Sequence, residues 1–206
     1  MMNSEVFNTL TAKHQSLWTT FSMSEDGLKF LLSEISKGRR KNIIEFGSGL
    51  STVYMAELAK LLLLDVKIIS VESDHYWMDK VEKHAAIHDL LDYVDFIYAP
   101  VYPDLRLGGK NKWYDISVLN KSVSSLILFD LVLIDGPIAY YPDISLSRYG
   151  ALPFVISRST VDCLILLDDC NRSGEKAVLD RWKEEFNTYN DNVGDLAVVR
   201  LKQGVS

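Results

Sequence analysis

The sequence predicts an α/β protein: a doubly wound, mostly parallel sheet, closed by a C-terminal antiparallel hairpin and preceded by an extra N-terminal helix. Three observations carry that expectation. Short apolar runs alternate with longer amphipathic segments, the order left by strand–helix–strand connections. Four of the apolar runs stop at an acid, namely Glu45, Glu72, Asp135 and Asp168. The first run also leads into two glycines at alternate positions, Gly47 and Gly49, before Ser51 and Thr52 open a helical pattern.

Each element has its own signal. Residues 4 to 20 read as a first helix. Ser24 is an N-cap, with Glu25 and Asp26 in the first turn and Leu28, Phe30, Leu31, Leu32 and Ile35 as the apolar set. Asn42 to Phe46 is the first strand and Thr52 to Leu64 its helix. Val66 to Val71 is the second strand, ending at Glu72. Asp74 to His88 follows as a helix, with Trp77, Val81, Ala85 and His88 at helical spacing. Tyr93 to Tyr98 is the third strand. Residues 99 to 125 form a long connection with Pro100, Pro103, Gly108 and Gly109, and connections of that length are commonly functional. Leu131 to Ile134 is the fourth strand, 136 to 147 a second loop, and Arg148 to Arg158 a helix despite Pro153. Val161 to Leu167 is the fifth strand and Gly174 to Phe186 an amphipathic helix. Residues from Phe186 to Leu201 make a hairpin around Asn190-Asp191-Asn192.

Composition bounds the function. At 206 residues one domain is the default, with residues 1–23 as a helical extension and 24–206 as the main body. A chain that is 48% hydrophobic and 24% charged is globular rather than disordered. The net charge of −6 and the lack of any basic stripe beyond Lys37 to Lys41 argue against DNA or RNA as the main partner. Cys163 and Cys170 flank one predicted strand, which fits a reducing compartment rather than a disulfide framework. The first 18 residues lack an apolar leader core, and no apolar run is long enough to span a bilayer, so a cytoplasmic protein is expected.

An open α/β sheet binds ligands outside the carboxyl ends of its strands. The turn after the first strand brings bare glycine backbone and a helix N-terminus to that edge, a setting for a nucleotide-like cofactor. The third glycine of a dinucleotide fingerprint is absent, with Thr52 in its place, which weakens a nicotinamide reading. The pattern Glu45-Phe46-Gly47-Ser48-Gly49 instead resembles motif I of the class I S-adenosylmethionine (SAM) dependent methyltransferases. The five strands and the hairpin match the Rossmann-like, seven-stranded sheet expected of that family over about residues 25 to 202.

The resemblance implies that the glycine turn passes under the methionine part of SAM, that Glu45 contacts it directly or through water, and that Glu72 accepts the ribose hydroxyls. Gly47, Ser48, Gly49, Ser51, Thr52, Ser73, Ala99 and Asp135 complete the expected cofactor set, with His75 at its edge. Asp135 is the expected general base for a small-molecule acceptor, preferably an oxygen nucleophile. Ile134-Asp135-Gly136-Pro137 and Leu167-Asp168-Asp169-Cys170-Asn171-Arg172 also resemble segments of metal-dependent sugar and catechol O-methyltransferases. That likeness makes Asp135, Asp168 and Asp169 candidate Mg²⁺ ligands, since three converging carboxylates without a cation repel one another. Cys170 departs from the catechol type, which has Asn there. A metal-free alternative has Asp168 or Asp169 capping the next helix and Asp135 acting alone.

Arg148 and Arg172 could hold an anionic substrate group or pair with these acids. Tyr114 and Tyr140 lie in the loops above the site, where aromatic rings suit a planar or sugar substrate. His84 and His88, at i and i+4 on one helix, have ligand spacing but no evident third partner, which favours packing. Phe7, Leu10, Trp18 and Phe21 could form a homodimer arm or a lid. A nicotinamide-dependent enzyme and a non-catalytic module that binds SAM or its product S-adenosylhomocysteine (SAH) are the alternatives.

Overall fold

The computed structural model describes residues 3–201, so the outer ends of both predicted segments, 1–2 and 202–206, lie outside the described residues. Its sheet has seven strands in the order β3-β2-β1-β6-β7-β9-β8. These are β1 (Asn42–Phe46), β2 (Lys67–Glu72), β3 (Val94–Tyr98), β6 (Phe129–Ile134), β7 (Ser159–Leu167), β8 (Thr188–Val193) and β9 (Leu196–Leu201). The first five named in the sheet order run parallel, and β9 and β8 close it antiparallel. Helices α1 (Ser4–His14), α2 (Glu25–Ser36), α3 (Leu50–Leu61) and α4 (His75–Ile87) pack on one face. Helices α5 (Ile116–Ser122), α6 (Ala151–Val155) and α7 (Ser173–Phe186) cover the other. The chain order reverses between β1 and β6, which sets a crevice at their carboxyl ends.

The N-terminal helix is part of the core. Phe7, Leu10 and Leu17 are buried in the same cluster as Leu28, Tyr54 and Val81. Each such side chain contributes about 1.5–3 kcal/mol on burial, enough to fasten α1 to α3. Of the four residues expected in an arm or lid, only Trp18 and Phe21 are exposed. The helix ends at His14, short of residue 20. A 3₁₀ turn (Gln15–Leu17) follows, and the Ser22 hydroxyl then accepts the Thr19 N–H, a local bond that competes with further helix.

Other boundaries moved for identifiable reasons. Helix α3 begins at Leu50, two residues before expectation, because Gly49 is the N-cap and Thr52 Oγ1 accepts the Gly49 N–H at 2.9 Å. The 99–125 connection contains a small hairpin, β4 (Val101–Pro103) with β5 (Lys112–Tyr114), and then α5; three-residue strands leave no periodic signal. The Arg148–Arg158 helix is broken into 3₁₀, α6 and 3₁₀ turns. Pro153 is tolerated at the third position of α6, where a backbone N–H has no intrahelical acceptor anyway. The final hairpin turns at Gly194-Asp195, with Gly194 at φ +61, and Asn190 to Asn192 are paired inside β8.

Candidate active site

Gly47 has φ +97, and a Cβ there would stand 2.8 Å from the Gly136 nitrogen, so only glycine fits. The close approach joins three strand ends. Gly47 N–H bonds to Val71 O at 2.8 Å, and Asp135 N–H to Phe46 O at 2.9 Å. Ser48, Gly49 and Ser51 continue the turn and line a cavity of about 260 Å³ that opens at the carboxyl ends of β1, β2 and β6. Glu72, Ser73 and Asp135 also line it, as do Tyr114, Tyr140, Arg148, Asp169 and Arg172.

Three expected cofactor residues do not line this cavity. Glu45 is wholly buried beneath the turn, where Ser51 and Thr52 hydroxyls donate to it at 2.5 Å each and Ser70 at 2.8 Å. Burial pushes its carboxyl up to about 7, against the pull of those hydroxyls. Glu45 therefore shapes the glycine turn from below. Thr52 belongs to the same buried network. Ala99 is buried, its N–H tied to Glu72 O at 2.8 Å. His75 is exposed beside Tyr98 and stands outside the cavity lining.

Glu72 does face the cavity. Its Oε1 accepts the N–H groups of Ser73 (2.6 Å) and Asp74 (2.8 Å), and its Oε2 that of Ser48 (3.0 Å). Burial raises its carboxyl, and the three backbone donors oppose that rise. A carboxylate offers about four lone-pair sites, so this one is fixed in place with capacity left for a ligand hydroxyl. Opposite it, the Tyr114 hydroxyl is buried and unpartnered beside Gly136. Burial, and then the nearby Glu72, hold that phenol well above its usual range, so it is a neutral donor without a protein acceptor.

The β6 and β7 side is organised by one guanidinium. Arg148 is 4% exposed and donates to Asp135 Oδ1 at 3.1 Å and to Asp169 Oδ2 at 3.0 Å. It also donates to the backbone carbonyls of Asp135, Pro137 and Asp168, and approaches Glu175 Oε1 at 3.4 Å. Arg172 pairs with Asp169 at 2.8 Å. Burial opposes the charge on Arg148, but Asp135, Asp169 and Glu175 hold its proton more firmly than usual. Burial raises the Asp135 carboxyl, with Arg148 pulling it down. Asp168 is buried behind the cavity lining, and burial, then Asp135 and Asp169, push its carboxyl up to about 8. Asp169 has φ +61, a left-handed conformation tolerated by Asp and typical of constrained sites.

Asp135, Asp168 and Asp169 do bring oxygens within 4.8 Å of one another. Hard oxygen donors suit Mg²⁺. Yet Arg148, fixed by three carbonyls, already bridges Asp135 and Asp169 and compensates their charge. Asp168 Oδ1 has no partner among the described residues, so the three acids keep one open oxygen donor beside the guanidinium.

Sequence reasoning missed part of the wall. Thr19, Phe21, Ser22 and Met23, ahead of α2, line the cavity, and Phe21 stacks on Tyr140 with ring centres 5.7 Å apart. Trp77 lines it too, its Nε1 donating to Ser48 O at 2.7 Å. The signal for Trp77 was its place soon after Glu72; in the 19–23 segment only Phe21 was singled out, as part of an arm or lid. A second cleft of about 600 Å³ lies beside the β4–β5 hairpin, but its charged pair, Asp104 with Arg106, is already closed on itself.

No family model matches the sequence, and no curated protein matches it. Solved structures do. The O-methyltransferase from Bacillus cereus in complex with SAH is 17% identical, with TM-score 0.61 over 96% of this chain and 89% of that one. The O-methyltransferase TomG from Streptomyces achromogenes, in complex with SAM, is 14% identical at TM-score 0.63, covering 98% and 91%. SAH-bound Podospora anserina methyltransferase PaMTH1 is 14% identical at TM-score 0.64, covering 98% and 89%. The chain therefore has the Rossmann-like fold of the class I SAM-dependent methyltransferases, with its crevice at the β1/β6 switch point.

Proposed function

We propose that the protein is a SAM-dependent methyltransferase acting on a small molecule through an oxygen nucleophile. The observation that carries this reading is Glu72, a carboxylate fixed by three backbone N–H groups at the mouth of β2 and facing the cavity. It suits a ribose diol. Gly49 has open space around its Cα for the amino-acid part, and the Tyr114 hydroxyl is a donor in need of an acceptor. The SAM- and SAH-bound O-methyltransferases of the same fold support both the cofactor and the oxygen acceptor.

SAM, when bound, supplies a methyl group on a positively charged sulfur. Methyl transfer to oxygen is an in-line displacement: a C–O bond forms as the C–S bond breaks, the pair goes to sulfur, and the acceptor proton needs a base. Asp135 is that base. It is half-buried, lines the cavity, and its raised carboxyl is poised nearer to neutrality than a free one. Arg148 is a positioning residue that fixes Asp135 and Asp169 and takes the charge role expected of Mg²⁺. Phe21 and Tyr140 form the lid that keeps water from the reacting groups.

The test is a methyl-transfer screen with labelled SAM across phenols, catechols, sugars and matched amines. The reading expects label on a hydroxyl compound, loss of at least about 100-fold in Asp135→Asn, and no stimulation by added Mg²⁺. Transfer only to amines removes the oxygen assignment, and strict Mg²⁺ dependence removes the role given to Arg148.

A further inference from the structure

Outside the cavity lining, where the ends of α1 and α4 meet, three histidines converge. His14, the last residue of α1, is wholly buried. His84 lies in the last turn of α4 and His88 is the cap residue just past its end; both are half-buried. One ring nitrogen from each lies within 4.8 Å of the others, with His14 Nδ1 at 2.9 Å from His84 Nε2. The rings of His14 and His88 are 4.9 Å apart and those of His84 and His88 4.6 Å.

The other nitrogen of His14 faces a carboxylate. His14 Nε2 and Glu57 Oε2 stand 3.4 Å apart, both buried and neither with a hydrogen-bond partner among the described residues. Glu57, on α3, is itself anchored by Lys13 Nζ at 2.6 Å. A histidine that ligates a metal characteristically donates its second ring N–H to a carboxylate, which leaves the first nitrogen unprotonated and aimed at the ion. His14 is set in that way between Glu57 and the other two imidazoles.

We propose that His14, His84 and His88 form a binding site for a transition-metal dication of the Zn²⁺ type, with Glu57 orienting His14 from behind. Imidazole suits Zn²⁺ and its neighbours in the first transition row and not Mg²⁺. Ligands about 2.0–2.1 Å from Zn²⁺ stand roughly 3.3 Å apart in a tetrahedron, a spacing small ring rotations reach from here. Three histidines leave one position for water, on the side where His84 and His88 reach the surface. His14 Nδ1 and His84 Nε2 share one proton across 2.9 Å, and a bound ion would take that proton's place. Lys13 and Lys80 add positive charge beside the site, and Glu57 opposes it. The ion would tie α1 to α4 just ahead of Thr19–Met23, the segment that lines the cavity. The i, i+4 pair lacked a third ligand in the sequence because that ligand comes from 70 residues away.

The test uses the full chain, stripped with a chelator and then titrated with Zn²⁺ by calorimetry and with Co²⁺ by visible absorption. One equivalent should bind, with the absorption of a low-symmetry nitrogen site. His84→Gln with His88→Gln, half-buried positions that spare the core, should abolish it. Glu57→Gln should weaken it about 10–100-fold, and Asp135→Asn should leave it unchanged. Absence of Zn²⁺ and Co²⁺ binding overturns the site. So does undiminished binding in the double variant while its metal-free melting curve matches that of the parent.

Discussion

At the ends of β1 and β2, Glu45 and Glu72 meet only neutral donors: hydroxyls for the one, backbone N–H groups for the other. At the ends of β6 and β7, Asp135 and Asp169 meet guanidinium. Neutral donors fix a carboxylate without cancelling its charge, so Glu72 remains an acceptor for a neutral diol. A guanidinium fixes and neutralises together, and it holds Asp135 and Asp169 at the crevice. The same sheet edge thus presents one half built from backbone donors, proposed for the cofactor, and one half built from an ion network, proposed for the acceptor.

Four substitutions break or sharpen that contrast. Arg148→Met removes the cation from a buried acidic cluster and should cost about 3–5 kcal/mol in denaturant unfolding. A loss below about 1 kcal/mol would mean that the acids are solvated and the network carries little. Glu72→Gln keeps the shape but loses the charge, and SAH affinity should fall about 10–100-fold with stability little changed. An unchanged affinity would remove Glu72 from the cofactor half.

Asp168→Asn tests the cluster through pH. The folded Asp168 keeps its proton up to about pH 8, whereas the unfolded group releases it near its ordinary value of 3.8. The folded state therefore binds more protons in that window, and Asp168 makes stability fall as pH rises through it. The variant should lose that fall, matching the parent below pH 4 and exceeding it at pH 8 and above. Parallel stability profiles for the two proteins across this range contradict the assignment. Phe21→Ala, the mildest, removes the stack on Tyr140 and should weaken ligand binding about 2- to 10-fold; no change at all would make Phe21 a bystander.

The sheet was legible because its strands are apolar runs of ordinary length ending in acids and glycines. Glu72, Asp135 and the glycine turn were legible for the same reason: strand ends are visible in one dimension. Glu45 was placed on the ligand, but Ser51, Thr52 and Ser70 draw it under the turn, a contact set by α3 starting two residues early. Arg148 was named without a decision between substrate and acid, because only the fold brings it between β6 and β7. Phe21 was read only as part of an arm or lid, because its partner Tyr140 and the neighbours of His14 lie far away in the chain.

The most direct measurement is a calorimetric titration of the full chain with SAH, and NADH as the comparison ligand. The account predicts one saturable SAH site and no NADH binding. Silence with SAH, or binding of NADH in its place, would contradict it.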